Sequence, residues 1–308
     1  MSLGIPKAIA MFTFMGSVSA GMYLNPVLQF SQLRAFICAS DEMPEFSFSW
    51  YTSHWGIYAL IISVVVVSVL TGIYLKIGKK SHAWAAQAAP KNTQTDAPLI
   101  ALILPIVPVV LKIWLDFSVI GGFVIAGFAA LFLCGKMNKS FKENCQLVNK
   151  LYYDGVVDTA PLVGFLLTLP MFNTCASYAS PYFKEVLGGI MPTNEYVVCA
   201  LFAALSILGF FRGPLTLYGC GAATLGVLSA VGHFSVPFLF CVFTIPATTV
   251  NVGSCITQSW IAWGLAYTKV ESRDYLKLSI PFAYICSILL YILTAFTVTG
   301  LGPEWFLS

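Results

Sequence analysis

Long apolar runs dominate the pattern of the chain. The clearest, Trp55 to Leu75, holds the segment LIISVVVVSVLTGIYL without a charged residue. Further apolar runs lie at 5–28, 98–111, 117–134, 156–176, 196–211, 214–231, 234–250 and 279–299. Since a bilayer-spanning helix needs about 20 mostly apolar residues, the pattern predicts an all-α polytopic membrane protein with about 8–10 spans.

Several runs are interrupted by residues that disfavour a continuous helix. The interruptions lie at residues 25–26 (Asn-Pro), 173–175 (Asn-Thr-Cys), 212–214 (Arg-Gly-Pro) and 248–254 (Thr-Thr-Val-Asn-Val-Gly-Ser). Irregular backbone at membrane depth persists only where protein or a water-filled cavity satisfies its polar groups. We therefore predict broken helices or re-entrant hairpins that line a path, beside plain helices that act as a scaffold.

The composition excludes several classes of protein. Hydrophobic residues make up 58% of the 308 residues and charged residues 9%, whereas a soluble domain carries about 25% charged residues. A soluble enzyme, a nucleic-acid-binding protein and a disordered chain are thereby excluded. The sequence shows no nucleophile–base pair, zinc-ligand spacing or phosphate-binding glycine loop, so we expect no enzyme, no metal site and no cofactor beyond a coupling Na⁺ or H⁺.

The placement of charge predicts the orientation of the chain. Lysine-containing loops at 76–91 and 136–150 flank the apolar hairpin 98–134, and an acidic segment lies at 41–45. Positively charged loops stay in the cytoplasm. The N-terminus is therefore expected to be cytoplasmic and the acidic segment to face outward.

Arg212 is the first candidate for ligand binding. It is the only Asp, Glu, Lys or Arg between Tyr196 and Thr268, and Gly213-Pro214 follows it directly. A guanidinium group holds a carboxylate with two parallel hydrogen bonds, so a lone arginine at a helix break suits an anionic ligand. The alternative is an arginine at the membrane boundary whose head group reaches the lipid phosphates.

Clusters of hydroxyl and amide side chains in apolar runs form the other candidates. Such groups bind a carboxylate or sodium without a fixed protonation state, and unwound helix ends add free backbone groups. The alternative is ordinary hydrogen bonding between membrane helices. The predicted substrate-binding residues are Arg212, Gly213, Thr216, Asn173, Thr174, Thr248, Thr249, Asn251, Ser254, Ser17, Ser19 and Asn25.

Five segments carry a resemblance to a known family. They are LGIPKAIAMFTFMGSVSAGMYLNPV, PLIALILPIVPVVLKIW, FVIAGFAALFLCGKMNKSF, FFRGPLTLYGCGAATLGV and TTVNVGSCITQSWIAWGLAYTKVESRDYLKLS. In this order they resemble the ion transporter superfamily of bacterial organic-anion carriers, most closely the gluconate:proton symporter family. The resemblance aligns Arg212 with the family's arginine, Asn251 with its asparagine, and Trp260 or Trp263 with its aromatic residue.

The chain departs from the family at two places. Residues 213–216 read Gly-Pro-Leu-Thr where the family has Gly-Ser-Ala-Thr, and Val252 stands where an acid follows the family's asparagine. The resemblance covers nearly all of this chain but lacks the family's N-terminal third. It implies three parts: 1–75, two spans that form the tail of a first repeat; 76–97, a cytoplasmic loop; and 98–308, a second repeat with scaffold helices and substrate-site hairpins.

The resemblance and the residues together predict transport. The chain is expected to be a secondary active transporter subunit in a bacterial inner membrane that moves a small organic anion, coupled to sodium or protons. Because such carriers bind substrate between two repeats, a small membrane subunit is expected to supply the missing spans, unless the chain forms a homo-oligomer. The alternatives are a non-transporting membrane scaffold or assembly subunit, and a channel for small solutes or anions.

Overall fold

A computed structural model describes residues 5–38, 43–78, 98–115, 117–137, 140–187, 189, 192–232 and 234–305. Helix is the only regular secondary structure within these ranges, which confirms the all-α class. The chain divides into two compact units, one formed by Met1–Ala88 with Phe165–Ser308 and the other by Ala89–Gly164. Of the predicted cytoplasmic loop 76–97, the part from Lys79 onward lies outside the described residues.

The larger unit begins with α1 (Lys7–Met22), after which the chain turns at Asn25 and forms a π-helical turn at Pro26–Ser31 and the short helix α2 (Gln32–Ile37). The predicted break in the first apolar run is thus confirmed. The remaining helices of this unit are α3 (Phe48–Tyr51), α4 (Ile57–Gly78), α8 (Glu195–Ala204), α9 (Gly221–Val231), α10 (Val236–Ile245), α11 (Ser259–Thr268) and α12 (Ser272–Thr297).

The smaller unit contains the predicted hairpin. A 3₁₀ segment, Leu99–Ile106, leads into α5 (Val107–Leu115), and α6 (Val119–Leu133) returns against it. Pro105 lies inside the first segment, where its missing N–H removes a helical hydrogen bond, and the segment is 3₁₀ rather than α-helical up to Ile106; the kink predicted here stays a prediction.

The long helix α7 (Phe141–Leu187) contradicts two expectations. Its 47 residues include most of the predicted loop 136–150 and pass through 173–175 without a break. The lysine-containing segment is rich in helix-forming Lys, Glu, Gln and Leu, and its charges lie on exposed positions, so a polar sequence here is compatible with helix. An Asn-Thr pair inside a helix costs only a fraction of a kcal/mol in propensity, about 0.7 per residue at most.

Two helical segments of the described residues are long and apolar enough to cross a membrane, and a third is added if a bent pair is counted as one span. They are Phe48–Ile77, Ser272–Thr297, and Glu195–Ala204 with Ser206–Arg212, the last two helices meeting at 65°. The chain is therefore a membrane-embedded protein. Of the other apolar runs, those at 117–134 and 234–250 form the shorter helices Ile120–Leu133 and Val236–Val252, and the run at 156–176 lies within α7. Among the described residues, the helices long and apolar enough to cross a membrane are therefore fewer than the 8–10 spans expected.

Helices α1, α4 and α12 pack in alternating directions. Thr13 on α1 shares a hydrogen bond of 2.9 Å with Thr71 on α4, and Gly16 lies against Val67, so these two helices are antiparallel. Tyr74 near the end of α4 donates to the carbonyl of Leu278 near the start of α12, at 3.1 Å. The start of α1, the end of α4 and the start of α12 consequently share one side of this unit.

A broken helix lies at the centre of the larger unit. Helix α10 continues at Pro246 as a π-helical segment, Pro246–Val252, and every residue from Val236 to Val252 is buried. Proline cannot donate a backbone hydrogen bond, which favours a change of helical pairing at this point. The break predicted at 248–254 is confirmed.

Candidate functional site

Arg212 lies in a tight turn whose backbone requires a glycine at the next position. Phe211 and Arg212 both have positive φ angles, 54° and 61°, a conformation that costs energy for residues other than glycine. A Cβ atom at Gly213 would lie 1.9 Å from the carbonyl oxygen of Leu208, so only glycine fits there. The turn ends the bent pair α8 and Ser206–Arg212, which confirms the predicted helix break.

The Arg212 side chain is half-buried and donates to two neutral groups. Its Nη2 lies 2.7 Å from Oε1 of Gln258, and its Nη1 lies 3.2 Å from the carbonyl oxygen of Tyr218. Both acceptors are neutral oxygen atoms, a side-chain amide and a backbone carbonyl.

The arginine turn meets the π-helical break. The backbone N–H of Phe211 donates to Sγ of Cys255 at 3.1 Å. Gly209 lies so close to Pro246 and Val250 that a Cβ there would be 3.2 Å from side-chain atoms of both. Two clusters that the sequence presents as separate, around 212 and around 248–258, are thus brought together in one place.

Three of the predicted residues hold helices together at the break. A change from α- to π-helical pairing leaves carbonyl groups that need donors. Ser19 on α1 donates to the carbonyl of Thr248 at 3.1 Å, and Ser254 donates to that of Ser279 on α12 at 3.2 Å. The hydroxyl of Thr249 bonds to that of Tyr23 on α1. For Ser19, Thr249 and Ser254 the geometry is that of interhelical hydrogen bonding, the alternative that the sequence left open.

Asn251 and Thr248 differ from these neighbours. Both side chains are completely buried, yet Oδ1 and Nδ2 of Asn251 and Oγ1 of Thr248 have no hydrogen-bond partner among the described residues. A buried polar group without a partner costs about 1–3 kcal/mol, and native proteins keep such groups where they serve a purpose. The two side chains mark a position at which a bound polar group would be stabilised.

No protein-family model, curated protein or solved structure matches this chain. The resemblance to the gluconate:proton symporter family accordingly stays a prediction. The inference about function rests on the geometry around Arg212 and Asn251.

The other predicted residues have different surroundings. Thr216 stabilises the arginine turn by donating to the carbonyl of Gly209 at 2.8 Å. Ser17 donates to the carbonyl of Thr13 and lines a groove of about 340 Å³ between α1 and α4. Asn25 caps the π-helical turn by accepting from two backbone N–H groups. Thr174 is exposed on α7, and the side chain of Asn173 lies outside the described part of the chain.

The predicted site omits several residues that the structure places at the break. Tyr275 on α12 donates to the carbonyl of Gly253 at 2.7 Å, and Tyr23 bonds to Thr249. The backbone carbonyl of Tyr218 accepts a hydrogen bond from Arg212. The sequence does offer one signal for Tyr23 and Tyr275, because a phenol inside an apolar run needs a polar partner when it is buried. That signal does not say which carbonyl the phenol will reach.

Proposed function

We propose that the chain is a subunit of a secondary active transporter that moves a small organic anion, a carboxylate, coupled to sodium or protons. The observation that carries the proposal is the fully buried amide of Asn251 at a helix break, for which the described residues offer no hydrogen-bond partner. That break contacts the turn of Arg212. Broken helices that offer polar groups inside the bilayer are the binding elements of many secondary transporters.

The amide of Asn251 favours an anion together with its coupling ion. A carboxylate would accept a hydrogen bond from Nδ2 but would leave Oδ1 without a partner, and a cation alone would do the reverse. A carboxylate bound with Na⁺, or a carboxyl group that carries a proton, supplies both partners. The Thr248 hydroxyl, also without a partner, adds a further oxygen of the type that hard cations prefer.

Arg212 would balance the charge of the anion. It is held by Gln258, which follows Asn251 closely in the chain, and the described contacts join the arginine turn to the same broken helix. A guanidinium group in a partly dehydrated site attracts a carboxylate more strongly than in water. In the proposed mechanism the arginine attracts the anion and the Asn251 region binds it with the coupling ion.

The charges at the helix ends support a cytoplasmic N-terminus in a bacterial inner membrane. One side of the larger unit holds the start of α1, the end of α4 and the start of α12. Its basic residues are Lys7, Lys76, Lys269, Arg273 and Lys277, and its acidic residues are Glu271 and Asp274. The opposite side of this unit carries the acidic residues Glu45, Glu195 and Glu304 and the basic residue Arg34. Because basic residues remain on the cytoplasmic side, we place the first side in the cytoplasm and describe the chain as multi-pass.

A membrane scaffold or assembly subunit is the second candidate. The hydrogen bonds of Ser19, Thr249 and Ser254 favour it, since those hydroxyls are occupied by the protein itself. A scaffold would need a partner, either a small membrane subunit or a second copy of the chain. The buried amide of Asn251, which has no partner in the part of the chain that the structure describes, has no role in this alternative.

Uptake into vesicles tests the proposal. The complex is purified gently from its own membranes, reconstituted, and supplied with labelled gluconate, lactate or succinate under a sodium or proton gradient. We expect accumulation against a concentration gradient for the wild type, abolished uptake for Arg212→Gln, and partial uptake for Arg212→Lys. Lys277→Gln is the matched control, because Lys277 is an exposed cation paired with Asp274.

Three results would contradict the proposal. Full uptake by a folded Arg212→Gln variant would mean that Arg212 is an arginine at the membrane boundary and does not bind the anion. Flux that never exceeds equilibrium would indicate a channel. No uptake of any of these anions, with no shift in thermal stability on adding them, would favour the scaffold.

A further inference from the structure

Helix α11 has two unlike faces. Ile261 and Gly264 are buried, and Gly264 lies against the side chains of Met11 and Met15 on α1. The opposite face carries large aromatic side chains spaced along one side of the helix, of which Trp260 is 49% exposed, Trp263 56% and Tyr267 73%. Apolar area of this size on one helix face requires a partner.

The two ends of α11 are held near the start of α12. Shortly before α11, Ser254 donates to the carbonyl of Ser279 on α12 at 3.2 Å. Directly after α11, the link 269–271 leads into α12 at Ser272. Ser272 and Ser279 are about 10 Å apart along a helix, at 1.5 Å per residue. Helix α11 therefore lies at the depth of the first turns of α12, in a layer at one end of that membrane-crossing helix.

The charges show that this layer is the boundary between membrane and water. The first turns of α12 carry exposed Arg273, Asp274 and Lys277, with Asp274 and Lys277 paired at 2.9 Å. The apolar part of α12 begins after them. Lys269, at the end of α11, is exposed and turns the chain with a φ of 57°.

We propose that the aromatic face of α11 lies in the headgroup region of the bilayer and that Lys269 and Arg273 bind the phosphates of anionic phospholipids. Tryptophan and tyrosine concentrate at this depth because one part of each ring system is apolar and another can form hydrogen bonds. Trp263 and Tyr267 are stacked, with ring centroids 5.5 Å apart, and so present one continuous surface. Basic residues beside such a face add attraction to anionic lipids. This inference holds whether or not the chain transports an anion.

Depth-dependent fluorescence quenching tests the aromatic part of the inference. The purified complex is reconstituted in phospholipid bilayers that carry bromine at carbons 6 and 7 or at carbons 11 and 12 of one acyl chain. The emission that is lost in the double variant Trp260→Phe, Trp263→Phe reports on these two side chains. We expect the shallow bromines to quench this emission more than the deep ones. Stronger quenching by the deep bromines, or quenching by aqueous iodide alone, would overturn the proposal.

Lipid selectivity tests the basic part. Bound phospholipid is counted by native mass spectrometry of the complex, in mixtures of phosphatidylglycerol and phosphatidylcholine. A basic residue near an anionic surface contributes about fivefold in affinity, so Lys269→Gln with Arg273→Gln should lower the preference for phosphatidylglycerol well below that of the wild type. Lys277→Gln, at a position already paired with Asp274, should change it less. An unchanged preference in the double variant would overturn this part.

Discussion

Helix α4 and the broken helix that runs from Val236 to Val252 are both apolar, yet they form opposite structures. The segment Phe48–Ile77 consists of α3, a π-helical turn at Thr52–Gly56 and α4. It has a mean hydropathy of 2.4, and only 28% of its most apolar window is buried within the protein. The broken helix is buried at every residue and changes its backbone pairing at Pro246. Helix α4 itself is regular α-helix from Ile57 to Gly78, whereas the inner helix changes its hydrogen-bond pairing at Pro246.

The difference follows from what each backbone can bind. On the outside of the protein a helix must satisfy all its own N–H and C=O groups, because lipid offers no partner. In the interior, hydroxyl groups of neighbouring helices take that role, as Ser19 and Tyr275 do at the break. At Pro246–Val252 the surrounding helices therefore stabilise the irregular backbone, and the proposed ligand position lies at the same place.

The largest effect is expected at the arginine turn. Gly213→Ala places a methyl group against the carbonyl of Leu208, and we expect a loss of about 3 kcal/mol or more in the free energy of unfolding. Gly72→Ala is the matched control: its Cβ would meet nothing within 4 Å, and a gain of helix propensity should leave α4 as stable or more so. Thermal unfolding in detergent measures both. Equal stability of the two variants would contradict the described turn.

An added methylene should distinguish the two helices directly. Val242 on α10 is completely buried, whereas Val65 on α4 is 53% exposed. Val242→Ile should cost about 1–3 kcal/mol because a packed core cannot accommodate the extra volume. Val65→Ile should change stability by less than about 0.5 kcal/mol. Similar unfolding temperatures for the two variants would mean that the broken helix is not the packed centre.

The smallest expected effect on stability is the difference between substitutions at two neighbouring threonines. The hydroxyl of Thr249 bonds to Tyr23, and that of Thr248 has no partner among the described residues. Thr249→Val should lower stability by about 1–2 kcal/mol, because the Tyr23 phenol is left without this bond. Thr248→Val should be neutral or slightly stabilising when no ligand is bound. The two unfolding temperatures, compared in the same detergent, test this assignment, and a larger loss at Thr248 would refute it.

The sequence predicts local features of this protein better than their assembly. The continuous span near Trp55–Leu75 and the breaks at Asn25 and Arg212 follow from hydropathy, proline and glycine, which act over a few residues. The continuous α7 was not predicted, since polar residues within it resemble a loop in composition.

The candidate site depends on contacts between distant parts of the chain. Ser19 forms a hydrogen bond with Thr248, which is 229 positions away in the sequence, and Arg212 forms one with Gln258, which is 46 positions away. Periodicity and residue type cannot give such pairings, because any of several hydroxyls could reach the same carbonyl. For the same reason the sequence could not separate Thr249, whose hydroxyl bonds within the protein, from Thr248 and Asn251.

The central claim is that the amide of Asn251 binds a ligand group, and Asn251→Leu tests it most directly. The measurement is thermal unfolding of the purified complex with sodium gluconate, lactate or succinate, each against sodium chloride and the corresponding potassium salt. Because the leucine removes an unpaired buried amide at similar volume, we expect the variant to be at least as stable as the wild type without the anion. We also expect it to lose the stabilisation that an anion gives the wild type. A variant that keeps this stabilisation, or that unfolds far more readily without any anion, would contradict the account.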